Sequence, residues 1–221
     1  MAADFYPRLS GHAGEDQVCN RLVNEQVRIG MLLAGPGVLI TLTFCPAIVV
    51  ILYSAKFLAS VEVLRWICLG TALQVITWPM GYIPVARGRG SIFFFSELAC
   101  AAVYAGLAWM CIAAFGLKGA GFAFLGYCIV HGFIYYPIAR RISGFHFSAE
   151  NLRTGAMLLP LLTVVAAAYM LLPAWMATCA GAAGAIAATL VSVRILTHLV
   201  DPALIPAPMR RLLRLRGDTP I

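Results

Sequence analysis

Charge is scarce in this chain. Only 11% of its 221 residues are Asp, Glu, Lys or Arg, and only two of the sixteen basic residues, Lys56 and Lys118, are lysines. A soluble domain carries about 25% charged residues, so a surface facing water on all sides is excluded by composition. Disorder is excluded as well, because it needs low hydrophobicity with high charge, and here 62% of residues are hydrophobic. Catalytic signatures are missing too: there is no HExxH, GxSxG, P-loop or DxD-like acidic pair. Ser, His and acidic residues do not cluster, and the loops between apolar runs are too short to build an active site. The expectation is a protein that is not an enzyme. Seven cysteines are present, but none forms a CxxC pair. Cys45, Cys68, Cys100, Cys111, Cys128 and Cys179 fall inside apolar runs, and Cys19 lies in a polar leader. They read as small packing residues, with no disulfide, metal site or cofactor expected.

What the chain does have is apolar sequence in long runs. Twenty-seven uncharged residues separate Arg28 from Lys56, and 21 separate Arg65 from Arg87. From Ser91 to Leu117 the only charge is Glu97, and from Gly119 to Ala139 there is none, only His131. Each run reaches the roughly 20 residues a helix needs to cross about 30 Å of hydrocarbon. The 40 uncharged residues between Arg153 and Arg194 are twice that length. Pro173 sits near their midpoint and splits them into a tight helical hairpin. The prediction is an all-α, polytopic membrane bundle of about six spans, near 29–54, 65–86, 91–116, 119–139, 154–172 and 174–195. Residues 1–28 are expected to form a polar cytoplasmic leader that includes the amphipathic end of a lost helix, without the apolar core of a signal peptide. Residues 200–221 form a basic tail, either an interfacial helix on anionic lipid or a solvated end.

The basic residues fix an expected orientation. With the N-terminus cytoplasmic, thirteen of the sixteen fall on the inside, and only Lys56, Arg65 and Lys118 fall outside. That asymmetry follows the positive-inside rule and places both ends in the cytoplasm. Reading the last 40 residues as one span would put the terminal arginines outside. The net charge of +7 therefore suits anionic lipid and topology, not nucleic acid.

Several residues stand out against the apolar background. Glu97 and His131 are the ionisable groups expected within the bilayer, where charge is costly and side chains face protein or water. Glu97 is either an ion-coupling carboxylate or half of a structural ion pair, with Arg87 and Arg89 on the same side. His131 is read as a neutral histidine bonded to a neighbouring helix, with a proton relay as the alternative. Arg65, Arg87 and Arg89 are candidate contacts for a phosphate-bearing substrate, chosen from charge and depth. Gly35-Pro36-Gly37 and Pro46 in the first span, and Pro79, Gly81 and Pro84 in the second, predict bent or partly opened helices. Ala177, Gly181, Gly184, Ala185 and Ala188 predict close helix contact, within the bundle or with another chain.

Short stretches in order bring a family into view: Asp4-Phe5-Tyr6-Pro7-Arg8-Leu9-Ser10, Asn24-Glu25-Gln26, Leu32–Pro36, Arg65-Trp66-Ile67-Cys68-Leu69-Gly70, and Phe115-Gly116-Leu117-Lys118-Gly119-Ala120-Gly121. Across roughly Asp4 to Phe147 the chain resembles the polysaccharide flippases of the multidrug/oligosaccharidyl-lipid/polysaccharide superfamily. The resemblance implies a two-lobed helical fold in the bacterial inner membrane. It also implies alternating-access export of an undecaprenyl-diphosphate-linked oligosaccharide, such as an O-antigen repeat unit. In that family the Asp-Phe-Tyr-Pro-like stretch lies past the middle, so the implied part is a C-terminal portion, a partial second lobe. The first lobe would then come from a longer reading frame or a partner chain. Two other functions fit six spans: a scaffold for envelope polysaccharide synthesis, and a drug or cation transporter of the same fold. The transporter should show an acidic cavity lining.

Overall fold

The computed structural model describes residues 2–199, and the predicted basic tail at 200–221 lies outside them. Every apolar run is helical, and no strand occurs among the described residues. The helices are α1 (Ala2–Gly11), α2 (Asp16–Leu52), α3 (Val61–Thr77), α4 (Tyr82–Ala86), α5 (Gly90–Phe115), α6 (Leu117–Ser143), α7 (Ala149–Leu171) and α8 (Ala174–Leu199). A 3₁₀ turn over Ala55–Ser60 leads into α3, and another over Trp78–Gly81 joins α3 to α4. Six of the resulting spans are long and apolar enough to cross a membrane. Large apolar side chains such as Trp109 and Leu171 stand 81% exposed, a surface that suits hydrocarbon and not water. The chain is an all-α, multi-pass membrane protein.

The first span differs from its predicted bounds. It begins at Asp16 instead of residue 29, so the second half of the polar leader is the first three turns of the same helix. At 1.5 Å per residue its 37 residues reach about 56 Å, well beyond the hydrocarbon, and the polar turns project from it. The first half of the leader folds back as α1, burying Phe5 and Leu9, with the Phe5 ring edge-on to Tyr82 at 5.7 Å.

The prolines act unequally. Pro36 leaves α2 helical, whereas Pro46 removes the N–H that would reach the Leu42 carbonyl, and the backbone leaves helical geometry at Phe44 (φ −100°, ψ 20°). Pro79 sits in the 3₁₀ turn that opens the second span. Leu172, ahead of Pro173, is extended (φ −117°, ψ 158°), the conformation that proline imposes on its predecessor. Leu172 and Pro173 alone turn α7 into α8.

α6 lies between α5 and α3, α3 lies against α2, and α2 carries α8, while α7 packs on α2 and α8 and also touches α3. α5 at one edge touches chiefly α6 and leaves most of its surface outward. The small-residue stripe of α8 is used inside the bundle: Gly181 packs on Thr43 and Gly184 on Leu161, while Ala177, Ala185 and Ala188 are buried.

Candidate functional site

Polar side chains gather at three depths. At the arginine-rich end, where α2 begins and α6 ends, Asn20 and Asn24 lie one helical turn apart and grip the α6–α7 connection. Asn20 Nδ2 donates to the Ser143 carbonyl at 2.7 Å, and Ser143 Oγ donates back to Asn20 Oδ1 at 2.7 Å. Asn24 Nδ2 donates to the His146 carbonyl at 3.0 Å, and Asn24 Oδ1 accepts from Ser148 N–H at 2.8 Å. Asn151 Nδ2 reaches both the Asn24 carbonyl and Oδ1 at 2.9 Å. Ser148 in turn caps α7, accepting from Asn151 N–H at 3.2 Å. Neutral amides suit this place, since each supplies donors and acceptors without a charge to desolvate.

Arg87 and Arg89 lie at that same end. Arg87 forms an ion pair with Asp16 at the start of α2, which ties the end of the second span to the first. Arg89 precedes α5 and is exposed. Neither reaches Glu97, so the ion pair expected between them is not formed. Arg65 belongs to the opposite end of the second span, 22 residues from Arg87 and about 33 Å away at helical rise. One ligand head group does not touch all three arginines.

Inside the membrane, Glu97 and His131 do meet. The Tyr135 hydroxyl donates to Glu97 Oε1 at 2.6 Å, and His131 Nε2 stands 3.9 Å from the same oxygen. On the ring's other side Nδ1 lies 3.1 Å from Thr77 Oγ1. The helical interval of four brings His131 and Tyr135 to one face of α6, their rings 4.4 Å apart. His131 is thus bonded to a neighbouring helix, as read from its depth. The Tyr135 phenol on Glu97 and the Thr77 hydroxyl on His131 were not foreseen, because Tyr and Thr are ordinary in apolar runs and only packing selects which of them meet an ionisable group.

At the opposite end a cleft of about 390 Å³ opens between α3, α6 and α7. Arg65, Trp66 and Glu62 line it from α3, Lys118 from α6 and Tyr169 from α7. Glu62 pairs with Lys118 across the mouth. Arg65 makes no ion pair among the described residues and has a buried Nε without a hydrogen-bond partner. Its guanidinium carbon instead sits 3.8 Å above the Tyr169 ring, a cation–π contact that orients the charge without neutralising it. The Tyr169 hydroxyl donates to the Thr43 carbonyl at 2.7 Å, beside the kink of α2, and meets Thr178 Oγ1 of α8 at 3.1 Å. One side chain thereby holds the cleft's cation, the kink and α8. Tyr169→Phe keeps the ring under Arg65 but removes both polar contacts. We expect it to lower stability by about 1 kcal/mol in detergent unfolding; Tyr169→Leu, which also removes the ring under Arg65, should lower it further.

The chain was compared with protein-family models, with curated proteins and with solved structures, and none of the three comparisons returned a match.

Proposed function

We propose that this chain contributes one lobe of a flippase that moves an undecaprenyl-diphosphate-linked oligosaccharide across the bacterial inner membrane by alternating access. The observation that carries the reading is the Arg65 cleft. A guanidinium without a carboxylate partner among the described residues, flanked by Trp66 and Tyr169, suits a diphosphate followed by a sugar. Guanidinium pairs with phosphate oxygens in a planar fork, and the aromatic faces offer flat apolar surface to the carbon face of a pyranose. Lys118 and Arg65 outnumber Glu62 in the cleft, which favours an anionic ligand over the drug or cation alternative. The α8 stripe packs inside the bundle, which takes away the surface through which a scaffold would act. Among the described residues nine arginines fall towards one end of the bundle and Lys56, Arg65 and Lys118 towards the other, so the proposed topology puts both termini in the cytoplasm and the cleft on the outer face. One lobe of six spans does not surround a translocation path, so the reading requires a second set of helices to complete it.

Arg65→Gln tests this. With the protein in phospholipid nanodiscs, native mass spectrometry should show undecaprenyl-diphosphate-linked oligosaccharide bound about tenfold more weakly or worse, the loss of one charge-assisted hydrogen bond. Arg65→Lys should recover only part of the affinity, since ammonium lacks the fork. Equal affinity in Arg65→Gln and the parent protein would sink the reading.

A further inference from the structure

The Glu97–His131–Tyr135 cluster is independent of the cleft. His131 Nδ1 lies 3.1 Å from Thr77 Oγ1, and Nε2 lies 3.9 Å from Glu97 Oε1, which also accepts from the Tyr135 hydroxyl. In the neutral imidazole one nitrogen is the donor and the other an acceptor. With either tautomer a neutral His131 leaves the Glu97 carboxylate without a cationic partner among the described residues.

We propose that Glu97 and His131 form an intramembrane proton-binding site that holds one proton between them, with Tyr135 as its positioning residue. With no proton the cluster carries a net negative charge, and with one it is neutral overall, either as carboxylic acid beside imidazole or as carboxylate beside imidazolium. Within the bilayer that difference is large, because an uncompensated charge there is expensive. Other groups facing the cluster do not neutralise it: Cys100 comes from α5, Tyr127 from α6, and Thr77 from α3. No Arg or Lys reaches Glu97 among the described residues. A hard metal ion is a poor alternative, since it takes six or more oxygen ligands and the cluster offers the Glu97 carboxylate and one phenol. A proton needs only a single acceptor. Glu97 lies about 10 Å in from Gly90 along α5, and its side chain is 43% exposed while His131 is 5% exposed. The imidazole is thus the buried end of the pair. Because α3, α5 and α6 each contribute a group, proton occupancy reports on, and acts on, how these three helices pack.

Infrared difference spectra over a pH titration, on the full chain in phosphatidylcholine nanodiscs, test this directly. The parent protein should show a protonated carboxylic C=O band that Glu97→Gln lacks. His131→Gln should displace that band's titration midpoint by about one pH unit or more, the effect of a directly coupled neighbour. Tyr135→Phe should move the band's frequency, having lost the 2.6 Å donor. If Glu97→Gln does not insert stably, the Tyr135→Phe shift alone decides the question. An unchanged midpoint in His131→Gln, or an unchanged band in Tyr135→Phe, overturns the shared site. Oligosaccharide binding plays no part in these readouts, so failure of the flippase reading leaves them intact.

Discussion

Gly119→Ala is expected to destabilise the bundle by about 3 kcal/mol or more, the upper end of what overpacking costs, and to sharply reduce the amount of inserted protein. A Cβ at Gly119 would stand 2.0 Å from the Cys111 carbonyl oxygen, 2.3 Å from its carbon and 2.7 Å from the Ile112 nitrogen. All three are backbone atoms, so no side-chain rotamer relieves the clash. The position cannot retreat either. Gly119 N–H is bonded to the Gly116 carbonyl at 3.0 Å, and Gly116 itself turns the chain at φ +63°, a conformation open chiefly to glycine. The α5–α6 hairpin would have to splay, and α6 also carries the contacts with α3. Gly106→Ala in α5 is the control: a Cβ there meets nothing within 4 Å, and its unfolding free energy should stay within about 0.5 kcal/mol of the parent. Reversible unfolding in mixed micelles measures both.

The second large effect is expected at Asn24. Asn24→Ala removes the partner of the Ser148 N–H, the His146 carbonyl and one amide proton of Asn151 at once. Each buried polar group left unpaired costs about 1–3 kcal/mol. Water can reach the loop and recover part of this, so a total near 3 kcal/mol is expected. Hydrogen exchange localises the effect: the Ser148 amide should lose protection while amides in the middle of α6 keep theirs. Asn24→Asp keeps the acceptor for Ser148 but loses the donor to His146, and should fall between the two.

Most of the element inventory was legible from charge spacing. Arg28, Lys56, Arg65, Arg87 and Lys118 bound runs too apolar for water and long enough for lipid, and each run is a helix. Pro173 marked the α7–α8 hairpin because its local steric rule operates in any surroundings. The start of α2 was missed because Asp16–Arg28 is polar, and polarity marks where a helix leaves hydrocarbon, not where it ends. Asn24 stood in a short stretch that drew attention, yet its role as a clamp was not visible. An i, i+4 pair of asparagines on one helix face was the available signal.

The candidate site divides in the same way. Composition alone determined that the chain lives in a membrane, since burying or exposing this much apolar surface to water has no stable solution. Depth alone marked Glu97 and His131 as residues that must find partners, because charge is dear in lipid. Which partners they find was decided by tertiary packing. Tyr135, Thr77 and Tyr169 are ordinary residues of apolar helices until α3, α5, α6 and α7 set them within hydrogen-bonding or stacking reach of an ionisable group. The three candidate arginines also separated only in three dimensions: Arg87 neutralised by Asp16, Arg89 exposed, and Arg65 held over an aromatic ring without an ion pair among the described residues. Sequence carries the cost of a buried charge, which is a property of one residue and its depth; the remedy is a property of pairs, and only the fold assembles pairs.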